Sequence, residues 1–292
     1  MNPNYQPLDA VPHRQHGRKK AQGYVFARND AFAPLLIAEL SHAIAHYPLA
    51  FRPIDSGPFQ GHFQLVVLLG MCAGENLFVD AHGQWRAPYI PGHFRAYPFR
   101  LLQVRSSEDK QLIMLGFDHA SGLYREAPDP LQQEERFFDD QGQPQPWLQE
   151  VSNFLVESAK NQRLTQQAVE ALAAAKVLVP WELPKAGLDD ERPLLSDLCC
   201  IDAAAMKTLP GSVLEILRDT QALDLAYAQL FSMQRLVSLQ ALYRQREQQK
   251  AKAHAEGRRE RQLPIGDLGL GALFGTSAPS DSMDLEWLKN YK

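Results

Sequence analysis

The chain has 292 residues, 45% of them hydrophobic and 22% charged, and a formal net charge of −4. That is a globular mixture, and a domain of this length buries roughly 70–75% of the surface its unfolded chain would expose, so it needs no disulfide or structural metal. The mild negative charge gives no global attraction for nucleic acid or an anionic membrane, and no window approaches the ~18 consecutive apolar residues of a membrane span.

Cys72, Cys199 and Cys200 are odd in number and two are adjacent, which is no secreted disulfide framework; they read as small apolar filler. The N-terminus has charges but no apolar stretch behind them, so no secretory signal is read. A cytoplasmic address follows by default, although export by a dedicated system would leave no trace of this kind.

In chain order, residues 1–21 are rich in Pro, His and Lys/Arg and read as a flexible arm. A short strand is predicted at Tyr24–Ala27. Asp30 then stands where a helix N-cap belongs, with Phe32, Leu35, Leu36, Leu40, Ala43, Ile44 and Tyr47 at helical spacing behind it and Pro48 as the stop. Gln64–Gly70 reads as a buried strand. Asn76–Val79 and Gln84–Arg86 flank the turn Asp80-Ala81-His82-Gly83, and Phe99–Val104 with Gln111–Phe117 form a second strand pair. Prolines 88, 91 and 98 make the segment between them an irregular crossing or an edge.

From about 145 the period turns helical, with Pro146 in a first turn and two apolar stripes, Trp147/Val151/Phe154/Leu155 and Leu164/Ala168/Val169/Leu172. A short strand is predicted within Val177–Leu183. Asp202 caps a short helix, Pro210-Gly211-Ser212 starts another, and Leu223 to Val237 reads as a longer one. The fold class is therefore α+β: an antiparallel β-rich core over about 22–118 and 177–183, packed by helices, then a helical C-terminal half and a flexible tail. In the tail, 244–282 is a basic extension and linker, and 283–292 is a short peptide in which Trp287, with Leu285 and Leu288, has an anchor pattern.

The run Glu75-Asn76-Leu77-Phe78-Val79-Asp80, then Gly83, Trp85, Tyr89, Pro91, Arg95 and Tyr97-Pro98-Phe99, resembles the central motif of the SapC family, bacterial proteins named for an association with surface-layer loci. Tyr47-Pro48 with Phe51, the stretch Phe138-Asp139 with Gly142 and Leu148, and the helix around Leu225, Tyr227, Ala228, Leu230, Ser232 and Leu236 fit as well. The resemblance spans roughly 22–243. The chain departs from it at His82, where an acidic residue is usual, at Ala96, where a second arginine is usual, and at Gln229, where a histidine is usual. What the resemblance implies is a bacterial accessory protein without defined catalytic residues.

Candidate chemistry concentrates in the same motif. Glu75, Asn76, Trp85, Tyr89, Arg95 and Tyr97 combine aromatic bodies with polar handles, as a groove for a peptide or protein partner requires. The bland alternative is that they keep a proline-broken crossing folded, with Glu75 and Arg95 paired or bonded to the backbone. A further alternative is a peptide- or protein-modifying enzyme built on Glu75, Asp80, His93 and Arg95. His42 and His46 share a helix face, but no HExxH or HxH spacing accompanies them, so no metal site and no cofactor is expected. Asp118, His119 and Ser121 name a triad without its elbow, and neither GxGxxG nor GxxxxGK[ST] follows a strand. The expected function is a non-catalytic accessory or binding protein that engages a protein or peptide through the aromatic motif region and the tail, with no nucleic-acid partner.

Overall fold

The computed structural model describes residues 4–55, 60–105, 111–184 and 194–261. In chain order come β1 (Tyr5–Pro7), β2 (Gly17–Lys19), β3 (Phe32–Pro34), α1 (Leu40–Ala43), β4 (Leu49–Pro53), β5 (Phe63–Leu68), α2 (Gly92–Arg95), β6 (Phe99–Arg105), β7 (Gln111–Asp118), β8 (Tyr124–Arg125) and β9 (Glu134–Arg136). They are followed by α3 (Pro146–Ala174), β10 (Leu178–Pro180), β11 (Cys199–Ile201), α4 (Ala203–Lys207), α5 (Gly211–Asp219), α6 (Ala222–Ser232) and α7 (Arg235–Arg261). The chain divides into two compact units, Met1–Arg246 and Glu247–Lys292. The predicted linker and terminal peptide, Trp287 included, lie outside the described residues, as does the turn at 106–110.

The strands make three antiparallel sheets, in the orders β10-β11-β4-β5-β3, β1-β7-β6 and β8-β2-β9. The fold is α+β, as the sequence predicts. In the five-stranded sheet Leu65, Val66, Val67 and Leu68 of β5 are all buried. A continuous apolar run needs cover on both of its faces, and α3 and α6 supply part of it. The three-stranded sheet of β6 and β7 sits on a second core of Leu8, Phe99, Phe117, Phe137, Phe138 and Leu148.

Helix α3 serves both cores. Leu148 near its start is buried in the second, and Ala168, Val169 and Leu172 near its end are buried in the first. The two predicted stripes are thus successive faces of one 29-residue helix. Arg18 of β2 lies 3.8 Å over the Trp147 ring, which ties the third sheet to the same helix.

Several expectations are corrected. The described part of the segment read as an arm is built into the sheets: β1 pairs with β7, and β2 pairs with β8 and β9. Leu8 is buried in the second core, and His16 bonds Tyr124. Strands of three residues carry too little alternation to be read from sequence. Tyr24–Ala27 is a 3-10 turn at Val25–Ala27 rather than a strand.

The helix predicted behind Asp30 shrinks to β3, a 3-10 turn at Ile37–Glu39, and α1. Pro34 suits the edge strand, where its missing N–H points away from β5, and long-range bonds replace helical ones: Thr165 Oγ1 accepts from Ile37 N at 2.9 Å. The helix read over Leu223–Val237 is broken into α6 and α7, which leaves Tyr227 and Val237 exposed rather than in a buried stripe.

Other readings hold. Asp80 Oδ1 accepts from His82 N and Gln84 N, both at 2.8 Å, and Gly83 takes the positive φ that closes this turn, though only a single bridge, Val79 to Trp85, joins its arms. Asp202 caps α4 by accepting from Ala204 N and Ala205 N. Cys72 and Cys200 are buried free thiols, and Cys199 is half-buried.

Gln229 is fully buried. Its Oε1 accepts from Ile201 N at 3.0 Å and its Nε2 donates to Leu49 O at 3.2 Å. An amide serves as donor and acceptor at once, which is what this seam between β11 and β4 asks for.

Candidate functional site

The central motif divides into a structural half and a half that opens on a cleft. Asn76 belongs to the first. It is fully buried, its Nδ2 donates to Ala27 O at 3.0 Å, its Oδ1 accepts from Phe78 N at 2.9 Å, and its own N–H donates to Arg28 O. Arg246 closes the same loop by donating to Asn76 O and Val79 O, both at 2.7 Å, and it lies 3.9 Å from the Glu75 carboxylate. An irregular crossing leaves backbone carbonyls unpaired, and these side chains satisfy them. Glu75 is therefore coupled to Arg246 and not to Arg95.

A second network centres on Glu39. Its buried carboxylate accepts from the Tyr89 hydroxyl at 2.5 Å, Gly92 N at 2.6 Å and Leu36 N at 3.0 Å, and Arg95 Nη2 lies 3.8 Å away. Trp85 Nε1 donates to the Tyr47 hydroxyl at 2.8 Å, which in turn donates to Tyr89 O. Burial pushes the pKa of both tyrosines up, helped at Tyr89 by the Glu39 charge, so both stay protonated donors. The chain from Trp85 to Glu39 thus pins the proline-broken segment onto the turn before α1.

Beside it lies a cleft of about 870 Å³ between the two cores. One wall is the segment from His93 to Leu101, another is Pro34, Leu35 and Leu36, and α3 supplies Phe154, Leu155, Ser158 and Gln162. Tyr97 stacks on Phe26 with centroids 3.7 Å apart, and both rings face the cleft. His93 and Asp30 line it too. Dense surroundings depress the His93 pKa against the opposing pull of Asp30 and Glu39, so the ring is neutral at pH 7. Desolvation raises the Asp30 carboxyl, and His93 partly offsets this. A smaller pocket of about 280 Å³ adjoins along Glu39, Gly92 and Ser158, and holds Tyr89, Arg95 and His42.

The sequence-predicted residues therefore separate. Tyr97 lines the large cleft, Tyr89 and Arg95 line the small pocket, and Glu75, Asn76 and Trp85 line neither. Of the enzymatic set Glu75, Asp80, His93 and Arg95, only His93 reaches the large cleft, while Asp80 is spent on its turn. Asp118 accepts from Asn4 N and Ala120 N, and Ser121 Oγ accepts from Leu123 N, so the paper triad is occupied by backbone. His42 stacks on Tyr89, and among the described residues no group of three His, Cys, Asp or Glu could hold a metal ion. Sequence reasoning missed Glu39, Asp30 and Arg246 as site residues: Glu39 falls inside a predicted helix, Asp30 was read as that helix's N-cap, and Arg246 sits in a basic run.

No helix among the described residues is long and apolar enough to cross a membrane. No curated protein and no solved structure matches the chain significantly. A family model does match, over residues 8–239, which takes in most of the segment first read as an arm. With most of its length covered by that match, the chain belongs to the SapC family.

Proposed function

We propose that this protein is a non-catalytic accessory protein that binds a peptide or protein segment in the cleft between its two cores. The observation that carries this reading is the cleft itself. Its volume of about 870 Å³ falls in the range of ligand sites, and it mixes aromatic walls with a few polar groups, as such sites do. The polar residues of the central motif that look most chemical, Glu75, Asn76 and Asp80, are consumed in holding the backbone and do not converge on this space. The C-terminal peptide with Trp287 enters the reading from sequence alone, as a second point of attachment.

Selection of phage-displayed random decapeptides on the purified full-length protein tests the proposal. Ala159 is an exposed α3 residue on the cleft wall that belongs to neither core, and Ala159→Trp puts an indole on that wall. Sequences should be enriched on the wild type and lost on the variant, whose circular dichroism stays unchanged. No enrichment, or equal enrichment on both proteins, would reject the cleft as a binding site.

A further inference from the structure

The free sheet edges of this fold are not alike. Backbone hydrogen bonds in an antiparallel pair alternate, so every second residue of an edge strand points its N–H and C=O outward. In β1 the bonds from His119 N to Asn4 O and from Leu8 N to Leu115 O leave Tyr5 and Pro7 facing out. In β3 the bonds from Leu69 N to Ala31 O and from Leu35 N to Leu65 O leave Phe32 and Pro34 facing out. In β10 the bonds from Asp202 N to Val177 O and from Trp181 N to Leu198 O leave Leu178 and Pro180 facing out. Each of these edges thus carries a proline at an outward position, where it offers no donor, a common way to prevent strand addition.

The edges of the third sheet, β8 and β9, also lack a proline, but at two and three residues they are too short to template a strand, which leaves β6 as the long edge without one. Asp118 N donates to Pro98 O, and the register pairs Phe99 with Phe117, so the ladder bonds fall at Arg100, Leu102 and Val104. Phe99 N is taken by Ala96 O, which leaves the N–H and C=O of Leu101 and Gln103 pointing away from β7 with no backbone partner among the described residues. This seven-residue strand has no proline, and Phe99, Arg100 and Leu101 line the cleft.

The cleft also holds a charge without a hydrogen bond. Asp30 is exposed and accepts none among the described residues, while its neighbour His93 is neutral. Phe26 and Tyr97, stacked on each other in the same cleft, offer the aromatic surface a cation prefers.

From these observations we infer that the cleft takes an extended basic peptide as an added strand on the β6 edge, main chain bonded to Leu101 and Gln103, with a Lys or Arg side chain held at Asp30. This is the strand-addition mode of recognition, in which backbone bonds give affinity and side-chain pockets give specificity. It rests on the binding role proposed above. Because Tyr97 immediately precedes Pro98 and β6, the basic residue lies toward the Phe99 end of the strand.

The test uses peptides selected on the full-length protein. Gln103→Pro removes one outward N–H and no ladder bond, so it should weaken binding at least about tenfold with the melting temperature held, whereas Gln103→Ala should bind as the wild type does. Asp30→Asn should cost about tenfold for peptides carrying a basic residue and nothing for versions with that residue changed to norleucine. Should Gln103→Pro fold poorly, slowed amide exchange at Leu101 and Gln103 of the wild type on adding peptide reads the same bonds. Peptides that are blocked by Ala159→Trp, yet indifferent to Gln103→Pro and without effect on those amides, would overturn strand addition and leave the cleft reading standing. Peptides that bind equally to Asp30→Asn would overturn the basic anchor. A selection that yields no peptide overturns both readings.

Discussion

Glu39 holds a tyrosine hydroxyl, two backbone N–H groups and a nearby arginine on one buried carboxylate, and these partners come from both sides of the proline-broken crossing. Truncating it to alanine strands those donors, and Glu39→Ala should cost about 3 kcal/mol in urea denaturation. Arg246→Ala frees two carbonyls and should cost about 2 kcal/mol while leaving peptide affinity unchanged, because it lies away from the cleft. Apart from the Leu36 N–H bond, none of this coupling is local. Glu39 and Tyr89 are 50 positions apart, and Arg246 is 170 positions from the residue it caps, so only the aromatic half of the network was legible in the sequence.

His93 gives a pH signature. Its folded-state pKa lies below the ~6.5 of a free imidazole, since dense surroundings outweigh the pull of Asp30 and Glu39. Above that value both folded and unfolded chains are neutral there. As pH falls below it the unfolded chain takes up the proton first, so stability drops through that window until the folded pKa is passed. His119 is depressed by burial and by His13 in the same direction. The variant His93→Gln should therefore lose part, not all, of the decline in urea midpoint between about pH 6.5 and 5. An unchanged slope would remove His93 from this account.

Among the elements, those with a long enough period were readable. Strands β5, β6 and β7 and helix α3 fall close to where the apolar pattern puts them, because each carries several repeats of its period. Strands β1, β2 and β3 do not, since three residues leave almost no pattern and their pairing partners are far along the chain. The segment from Phe32 to Tyr47 shows the failure most clearly: apolar residues at helical spacing also satisfy a strand followed by a turn when β5 and α3 supply the hydrogen bonds. One substitution tests the corrected N-terminus. Leu8→Ala should destabilise the protein by about 2–4 kcal/mol, as for a core leucine, whereas a free arm would tolerate it within about 0.5 kcal/mol.

At the scale of the molecule, the fold has two cores joined by one long helix, and the cleft is the space between them. A gap of this kind has no sequence signature of its own, because its walls come from residues 5 to 166 and no short window contains them. What the sequence did offer was Tyr97 and His93, each on the cleft, within a motif whose other polar members hold the backbone. The competing surface is the exposed pair Tyr227 and Phe231 on α6, stacked with centroids 6.2 Å apart, which is the other candidate for an apolar contact. Photo-crosslinking separates the two directly. A selected peptide carrying a benzophenone should label the cleft walls, within Phe154–Gln162 of α3 and Tyr97–Leu101, when the products are mapped by mass spectrometry. Labelling confined to α6 around Tyr227 and Phe231 would contradict the account.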